Sequence, residues 1–423
     1  MKCQKIFGVQ DLQININKIV LLKYESLFYL YKKMSIKYIK DPIYQEYLKF
    51  NKNEIKLIDN SAFKRLSNIK QLGSLNQIFP GATHTRFIHS LGVSNLAEKF
   101  INRLLNNSNI IKNKQLIRDI QNIKIAGLYH DIGHGPFSHV FDNIVLKKLC
   151  PNNAFLKHEV RSCNIIEKKC NTLFDNNIFN GYDIENIKNY IEPIYELDNF
   201  KNQIISNKIN SIDVDKFDYL KRDPYYIGLS YSFDYTRLTH KMKVIDNKIY
   251  YNKDLVDDLY DMYYTRYKLH REIYNHKVVK SIELMIGDIL LEANNIYNFP
   301  SILNTDDFLN LDDNILTLIK YSKEKLNNTN KLITRIENRD IYKQIYKSNI
   351  KSLDSVKDHI LDNYKDNKET DFHFIEMNFN MCNGNNNPFD NILFYNKVEN
   401  ENLIMRKLVP DNYNERMVNV YKK

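Results

Sequence analysis

Glycine and proline, the residues that most often build turns, are scarce in this chain. It has 11 glycines and 9 prolines among 423 residues. So few turn formers exclude a collagen-like chain and disfavour a sandwich or barrel built on many tight turns. Hydrophobic residues make up 43% of the sequence, which is enough for a sizeable core. The sequence therefore predicts a mainly α protein.

Apolar residues recur at helical spacing over long parts of the chain. One such set comprises Leu96, Phe100, Ile101, Leu104 and Leu105. A second set runs from residue 116 to 128, and the segment 112–114 between them predicts a loop. From about residue 36 the pattern predicts a continuous helical body, which resumes as a helix over 254–295 after a short interruption.

Two stretches alternate with a period of two residues, which is typical of β-strands. The segment 242–252 alternates around Asp246-Asn247 and predicts a β-hairpin. Residues 375–381 form one further candidate strand and 392–395 another, with a turn over 382–388. We therefore expect a small β-hairpin in the helical body and a mixed α+β C-terminal lobe.

Charge and cysteine content bear on partners and location. The formal net charge is +10, from 61 basic and 51 acidic residues, which is weak support for a polyanionic partner. No basic stripe interleaved with aromatic residues stands out, which argues against nucleic-acid binding. The positive net charge nevertheless keeps it open as an alternative. The sequence has no apolar run long enough for a transmembrane helix and no signal-peptide pattern at its start. Its five cysteines form no CxxC pair, as expected of a reduced, intracellular protein.

Histidines cluster in the segment YHDIGHGPFSH, residues 129–139. Three of the 11 histidines of the chain fall within these residues, and two glycines and a proline end the preceding helix there. An adjacent His-Asp pair at a helix end can turn both side chains toward one metal ion. A lone pair of this kind also arises by chance, so the neighbouring segments decide the interpretation.

Two further segments supply residues of the same chemistry. HTRFIHS, residues 84–90, precedes the pair, and SIDVDKFDYLKRD, residues 211–223, follows it with four acidic residues at helical spacing. Together they predict a metal site formed by His89, His130, Asp131 and Asp215. Two imidazoles and two carboxylates suit Fe, Mn, Zn or Ni, whereas Mg²⁺ prefers an all-oxygen shell. Such a site predicts metal-assisted hydrolysis of a phosphoester.

These segments resemble the HD-domain phosphohydrolases, and specifically the deoxynucleoside triphosphate (dNTP) triphosphohydrolases that carry a SAM domain ahead of the HD domain. The resemblance includes FPGATHTRFIHSLGV (79–93), IAGLYHDIGHGPFSHVFD (125–142), IDVDKFDYLKRD (212–223) and LYDMYYTRYKLHREIYNHK (259–277). It covers the chain from about residue 36 to its end, with only some 35 unmatched residues where the SAM domain would stand. It implies an N-terminal arm over 1–35, an HD-type helical catalytic domain over 36–300 and a mixed C-terminal lobe over 301–423.

The resemblance also implies roles for individual residues. His158 matches the catalytic histidine with Asp142 nearby, and His134 and His139 match histidines near the α-phosphate, where a protonated imidazole could stabilise the leaving oxygen. Residues expected to bind substrate are Gln71, Leu72, Arg86, Lys216, Tyr219, Asp223, Arg266, Tyr274 and Asn275. Among them Asp223 would accept a hydrogen bond from the 3′-OH, and Tyr274 would exclude ribonucleotides. Asn275 replaces a glutamine of the family, which puts the nucleobase preference in doubt.

The regulatory nucleotide sites of the family are only partly retained. Matching residues are Lys37, Asp59, Phe79, Arg237, His276 and Lys277. Lys64 and Ser67 replace residues that read a guanine nucleotide, while Asp254, Asp258 and Glu272 add carboxylates that would repel a triphosphate. We therefore expect activation by GTP and dNTP to be weakened, altered or absent. Assembly into a homodimer or homotetramer, which the resemblance implies, becomes uncertain for the same reason.

The leading hypothesis is a metal-dependent dNTP hydrolase that releases deoxynucleoside and tripolyphosphate and lowers the dNTP pool. Its expected cofactor is Fe, Mn or Zn at the His/Asp site, with Mg²⁺ accompanying the triphosphate. Two alternatives stay open at this point. One is an HD phosphohydrolase that acts on another nucleotide phosphoester, and the other is a nucleic-acid-binding scaffold with altered allosteric control.

Overall fold

The computed structural model describes residues 36–173, 179–194, 199–322, 326–349, 352–396 and 414–423. The expected N-terminal arm over 1–35 lies outside these residues. The chain divides into two compact units, Met1–Asn60 and Ser61–Lys423. Among the described residues, none of the helices combines the length and the apolar character needed to cross a membrane.

The described part of the first unit begins with a β-hairpin. Strand β1 (Lys37–Lys40) pairs antiparallel with β2 (Tyr47–Phe50), and helix α1 (Lys52–Ile58) follows. The predicted helical start at residue 36 is therefore wrong. The segment forms strands because burial in β2 alternates from one residue to the next: Leu48 and Phe50 are buried, whereas Tyr47 and Lys49 are exposed.

Helices dominate the second unit, which confirms the mainly α fold class. The α-helices are α2 (Ser61–Lys64), α3 (Arg86–Asn107), α4 (Lys114–Tyr129), α5 (Lys147–Leu149), α6 (His158–Leu173), α7 (Gly181–Ile191), α8 (Val214–Ile227), α9 (Thr236–His240), α10 (Val256–Lys268), α11 (Lys277–Tyr297), α12 (Phe299–Ile302), α13 (Ile315–Lys320), α14 (Asn327–Glu337) and α15 (Leu353–Asn363). Two π-helical turns, Phe141–Leu146 and Leu269–Tyr274, also occur in the described residues.

Helix α3 is the centre of the core that positions the site. It packs against α4 and α8. The apolar residues that predicted this helix are all buried in it: Leu96, Phe100, Ile101, Leu104 and Leu105. The first half of α3, the end of α4 and the first turn of α8 therefore meet, and the metal-site candidates lie on these three elements.

The predicted hairpin at residues 242–252 is confirmed. Strands β3 (Met242–Ile245) and β4 (Lys248–Asn252) pair antiparallel. The turn residues Asp246 and Asn247 have φ values of 46° and 60°, as a type I′ turn requires. Strand β7 (Leu393–Tyr395) extends this sheet by pairing parallel with β4.

A second sheet of three strands lies in the C-terminal part of the chain. It contains β5 (Lys343–Asn349), β6 (Phe372–Asn380) and β8 (Asn414–Lys422), with β8 in the centre and antiparallel to both neighbours. The candidate strands at 375–381 and 392–395 both exist, but they belong to different sheets. The expected domain boundary at residue 300 stays a prediction, although β7 joins a sheet of the preceding segment.

The helix expected over 254–295 is interrupted. Helix α10 ends at Lys268, the π-helical turn Leu269–Tyr274 follows, and α11 starts only at Lys277. The Asn275 side-chain amide donates to the His270 carbonyl at 2.8 Å and so helps to end the turn. A π-helical turn inserts an extra residue, which re-aims the side chains that follow. In this chain the re-aimed residue is Tyr274, which contacts Asp223 in the site.

Candidate active site

Two histidines and two aspartates converge where α3, α4 and α8 meet. His89 lies in α3, His130 and Asp131 directly follow α4, and Asp215 lies in the first turn of α8. The His89 Nε2 atom lies 3.1 Å from Asp215 Oδ1 and 3.7 Å from Asp131 Oδ2. The His130 Nε2 atom lies 3.3 Å from Asp131 Oδ1 and 3.7 Å from Asp215 Oδ1. All four predicted ligands are thus brought together.

The outer nitrogen of each histidine fixes the ring and its tautomer. His130 Nδ1 donates to the Gly127 carbonyl at 2.9 Å, and His89 Nδ1 donates to Asp218 Oδ2 at 2.7 Å. Each Nε2 atom is buried, yet among the described residues it forms no hydrogen bond. Two buried imidazole nitrogens that face two carboxylates are the donor set that a transition metal prefers, so these residues fit a divalent cation.

The charges of this cluster call for a cation. Burial lowers the pKa of His89, but the carboxylates of Asp215 and Asp218 outweigh it and raise this pKa to about 10. Burial acts to raise the pKa of Asp215, whereas His130 and His89 hold it well below its usual range. The Asp131 pKa is depressed in the same way by His130 and Arg86. Both carboxylates are therefore ionised at neutral pH and stabilise positive charge between them.

Three more histidines stand beside the four. The rings of His134 and His158 stack with centroids 3.7 Å apart, and His139 lies 5.5 Å from His134 and 6.1 Å from His158. His158 Nε2 is 3.9 Å from Asp131 Oδ1, and its Nδ1 is 3.5 Å from Asp142 Oδ2. The predicted catalytic residues therefore lie directly beside the metal-site candidates.

The three imidazoles differ in protonation. Burial lowers the pKa of His139 to about 4, with the Arg86 charge adding to the effect, and the His134 pKa is lowered for the same reasons. For His158 burial also acts to lower the pKa, but Asp142 outweighs it and raises the pKa above the usual value. His158 thus carries a proton far more readily than its two neighbours do.

The sequence of this chain matches families of known proteins. Residues 86–223 match the HD domain and residues 233–374 match the HD associated region. The "Deoxynucleoside triphosphate triphosphohydrolase SAMHD1 homolog" of Dictyostelium discoideum is 35% identical over 384 residues, covering 86% of this chain and 73% of the relative. The human "Deoxynucleoside triphosphate triphosphohydrolase SAMHD1" is 32% identical over 445 residues, covering 92% of this chain and 70% of the human protein.

This chain belongs to the SAMHD1 family of HD-domain dNTP triphosphohydrolases. A viral relative, the "Putative HD domain-containing protein L394" of Acanthamoeba polyphaga mimivirus, is 36% identical over 380 residues and 82% of each chain. The family resemblance derived from the motifs is thereby confirmed.

Three residues missed by the sequence reasoning, Asp218, Arg222 and Arg161, support the predicted site residues His89 and Asp142. Asp218 orients His89 and is itself paired with Arg222, whose Nε lies 2.7 Å from it. Arg161, fully buried, donates to Asp142 and to the Gly133 carbonyl. Asp218 could have been found among the regularly spaced acidic residues of its segment, whereas Arg161 has no sequence signal.

Arg86 lies deep in the site beside the metal-site candidates. Its Nη1 donates to Asp131 Oδ2 at 2.5 Å and its Nε donates to Ser138 Oγ at 2.7 Å. Its Nη2 lies 3.4 Å from the Gln71 carbonyl oxygen, so the loop with Gln71 and Leu72 lies beside the metal-site candidates. The Gln71 side-chain oxygen is buried and accepts no hydrogen bond from the described residues.

The residues expected at the sugar form a connected group. The Tyr274 hydroxyl donates to Asp223 Oδ2 at 2.5 Å, and His84 Nε2 donates to Asp223 Oδ1 at 2.8 Å. The His84 ring stacks on Tyr226 at 4.5 Å. Sequence reasoning assigned no role to His84, although it lies in the quoted HTRFIHS segment. Each carboxylate oxygen retains a lone pair that can accept one more hydrogen bond.

The other substrate candidates are held by neighbours of their own. Lys216 Nζ donates to Asp213 Oδ2 at 2.8 Å. Arg266 donates to the Asn380 carbonyl at 3.2 Å and is adjacent to Tyr219. The Asn275 side chain is used elsewhere: its amide donates to the backbone carbonyl of His270 in the preceding turn.

Among the regulatory candidates of the second unit, Arg237 is paired with a carboxylate, and its neighbour Lys241 is paired likewise. Arg237 forms an ion pair with Asp258, and Lys241 Nζ lies 3.2 Å from Asp254 Oδ2. Phe79 meets the His276 ring edge to face at 6.5 Å, and Lys277 is exposed at the start of α11. The remaining candidates, Lys37 and Asp59, are exposed residues of the first unit.

Proposed function

We propose that this chain hydrolyses deoxynucleoside triphosphates at the α-phosphorus, releasing deoxynucleoside and tripolyphosphate and so lowering the dNTP pool. The observation that carries the proposal is the approach of buried His89 and His130 to both Asp131 and Asp215 in a chain 35% identical to a dNTP triphosphohydrolase. The reaction takes place inside the cell, in keeping with free cysteines at positions 150, 163 and 382.

The metal-site residues would hold Fe, Mn or Zn, which supplies activation of water for attack on phosphorus when bound. Mg²⁺ enters as part of the substrate, on the triphosphate. His158, oriented by Asp142, exchanges a proton at Nε2 with the reacting oxygens. Neutral His134 and His139 offer hydrogen bonds beside it, and Arg86 stabilises the negative charge that develops on the phosphates.

Substrate selection falls to the group around Asp223. Its carboxylate accepts a hydrogen bond from the 3′-OH, and the ring of Tyr274, fixed by its own hydrogen bond to Asp223, fills the space beside the 2′ carbon. Lys216, Tyr219 and Arg266 line the rest of the nucleotide pocket. Retention of this sugar group favours dNTP over other nucleotide phosphoesters.

Activation by GTP and dNTP is weakened, altered or absent in this proposal. Arg237 already pairs with Asp258, and Lys241 pairs with Asp254, so a regulatory triphosphate would have to displace carboxylates to reach these cations. The domain limits 36–300 and 301–423 and assembly as a homodimer or homotetramer stay predictions.

The test is incubation of the purified protein with each dNTP and Mg²⁺ or Mn²⁺, followed by chromatography. Deoxynucleoside and tripolyphosphate are expected, whereas monophosphate with pyrophosphate would refute the proposed bond cleavage. Asp215→Ala removes a proposed ligand and should lower both metal affinity and turnover by at least about 100-fold, the upper end of the 10- to 100-fold loss that is typical when a residue that only orients a ligand is changed. Asp366→Ala removes an exposed carboxylate of the C-terminal region and serves as the matched control.

A further inference from the structure

The turn after the His-Asp pair has an unusual backbone. Phe137 and Ser138 have φ values of 55° and 52°, in the left-handed region that non-glycine residues rarely adopt. Such a conformation persists only where its surroundings hold it. Ser138 accepts a hydrogen bond from Arg86 and His139 follows directly, so the turn decides where two site residues lie.

One carboxylate holds this turn and a second loop together. Asp313 Oδ1 accepts from the Phe137 backbone N–H at 2.7 Å. Asp313 Oδ2 accepts from the Lys70 backbone N–H at 2.9 Å. Lys70 immediately precedes the proposed substrate residues Gln71 and Leu72, so one oxygen of Asp313 fixes the backbone of their loop and the other fixes the turn that leads to His139.

Asp313 is itself anchored in the segment between α12 and α13. Its own backbone N–H donates to the Asn68 carbonyl at 3.3 Å, and the Asn68 amide donates to Asp312 at 2.8 Å. Arg65 donates to the Leu311 carbonyl at 2.6 Å. The segment 311–313 that carries this carboxylate is therefore hydrogen-bonded to Arg65 and Asn68, next to the 70–72 loop. This segment lies beyond the expected domain boundary at residue 300.

We propose that Asp313 is a positioning residue of the active site, which aligns the 70–72 loop and the 137–139 turn around the bound nucleotide. The role rests on the proposed function, because alignment matters only if these loops contact substrate. Asp313 needs no contact with the nucleotide itself. It acts by offering two acceptor oxygens to two backbone donors, which an asparagine cannot do, because its NH₂ group would face one of the N–H groups.

Asp313→Asn tests the role, with Asp307→Asn, a change of an exposed aspartate in the same segment between α12 and α13, as the matched control. Hydrogen exchange followed by mass spectrometry should speed up in segments 68–73 and 135–140 of Asp313→Asn and stay unchanged in α4. The kcat/KM for dNTP should fall about 10- to 100-fold, as expected when reacting groups shift by up to 1 Å, while bound metal is retained. Asp307→Asn should leave both measurements within about two-fold of the original chain, as surface substitutions usually do.

A double-mutant cycle with Ser138→Ala separates positioning from general destabilisation. If Asp313 acts through the turn, the second substitution should add less than about three-fold to the loss caused by the first, because residues in one network are not additive. Full additivity, or unchanged exchange in the two segments, would overturn the proposal. Exchange that speeds up without loss of kcat/KM would also overturn it. A lack of dNTP hydrolysis by the unsubstituted chain would instead refute the proposed function, and the exchange data would still test the contact.

Discussion

At the scale of single residues, the outer nitrogen of each metal-site histidine matters as much as the inner one. A backbone carbonyl can only accept, so His130 must carry its proton on Nδ1 and offer a lone pair at Nε2. Asp218 likewise holds a proton on Nδ1 of His89, and because it raises the pKa of that ring, a cation that binds Nε2 would displace a proton there. The ligand set is therefore prepared for a cation by groups that never touch it.

Tyr274 allows the ring and the hydroxyl to be tested separately. Tyr274→Ala removes the ring that fills the space beside the 2′ carbon, so the ratio of kcat/KM for ribonucleotide over deoxynucleotide should rise about 10-fold or more, a typical penalty for one steric or polar contact. Tyr274→Phe keeps the ring and loses only the bond to Asp223, so this ratio should change little. A ratio that rises equally in both variants would contradict exclusion by the ring.

At the scale of secondary structure, α6 lies unusually close to the turn after the His-Asp pair. A Cβ atom on Gly133 would lie 2.2 Å from the His158 carbonyl oxygen and 2.5 Å from the Ser162 nitrogen. Ser162 Oγ accepts from the Gly133 N–H and donates to the His130 carbonyl, so helix and turn are joined on both sides of this contact. Glycine at 133 is what allows His158 to reach the metal-site candidates.

Gly133→Ala should therefore push α6 away from the turn. We expect the free energy of unfolding to fall by about 1–3 kcal/mol, as for other overpacked sites, and kcat to fall more than KM rises, because His158 moves. Gly181→Ala is the matched control, since a Cβ there meets nothing within 4 Å. Urea denaturation and steady-state kinetics measure both effects. Equal behaviour of the two variants would show that the close approach has no influence.

The contact between α4 and α7 depends on one carboxylate and therefore on pH. Asp183 accepts from Arg118, from the Asn122 amide at 3.0 Å and from the Asn180 backbone N–H at 2.8 Å. Burial acts to raise the pKa of Asp183, but Arg118 and the Asn180 backbone outweigh it and lower this pKa. A depressed pKa contributes stability above the unfolded-state pKa, about 3.9, which is lost as the pH falls through the folded-state pKa.

Asp183→Asn should consequently destabilise the protein most at neutral pH. We expect a loss of about 1–3 kcal/mol in the free energy of unfolding at pH 7, the usual cost of a broken buried hydrogen-bond network. The difference from the unsubstituted chain should shrink as the pH is lowered below about 4, since the carboxylate then also becomes neutral. Glu185→Gln, an exposed change on the same helix, should stay within about 0.5 kcal/mol. A pH-independent difference would contradict the linkage.

At the scale of the whole molecule, sequence reasoning identified the metal-site candidates, because these residues lie in short motifs. The His-Asp pair, the second histidine segment and the acidic segment identified two histidines and two aspartates, and the fold brings each of these histidines within 3.1–3.7 Å of both aspartates. It failed at the β1–β2 hairpin and at the break before α11, because a short strand and a π-helical turn leave little periodic signal. It also passed over Arg161 and Asp313, whose partners lie far away in sequence.

The acidic residues near Arg237 give the last prediction, which concerns control of the whole enzyme. Lys64 and Ser67 replace the residues expected to read a guanine nucleotide, and Asp258 neutralises Arg237 of the second regulatory site. Hydrolysis of a single dNTP should therefore proceed without GTP and rise less than about two-fold when GTP is added. Asp258→Ala leaves Arg237 available to a triphosphate, so apparent affinity for an activating nucleotide should increase about five-fold, the equivalent of one surface ion pair worth about 1 kcal/mol.

Asp366→Ala is again the control. Activity and sedimentation should be measured with and without nucleotide. A strong GTP requirement of the unsubstituted chain, with assembly that depends on GTP, would contradict the loss of regulation and show that the carboxylates do not keep the nucleotide out.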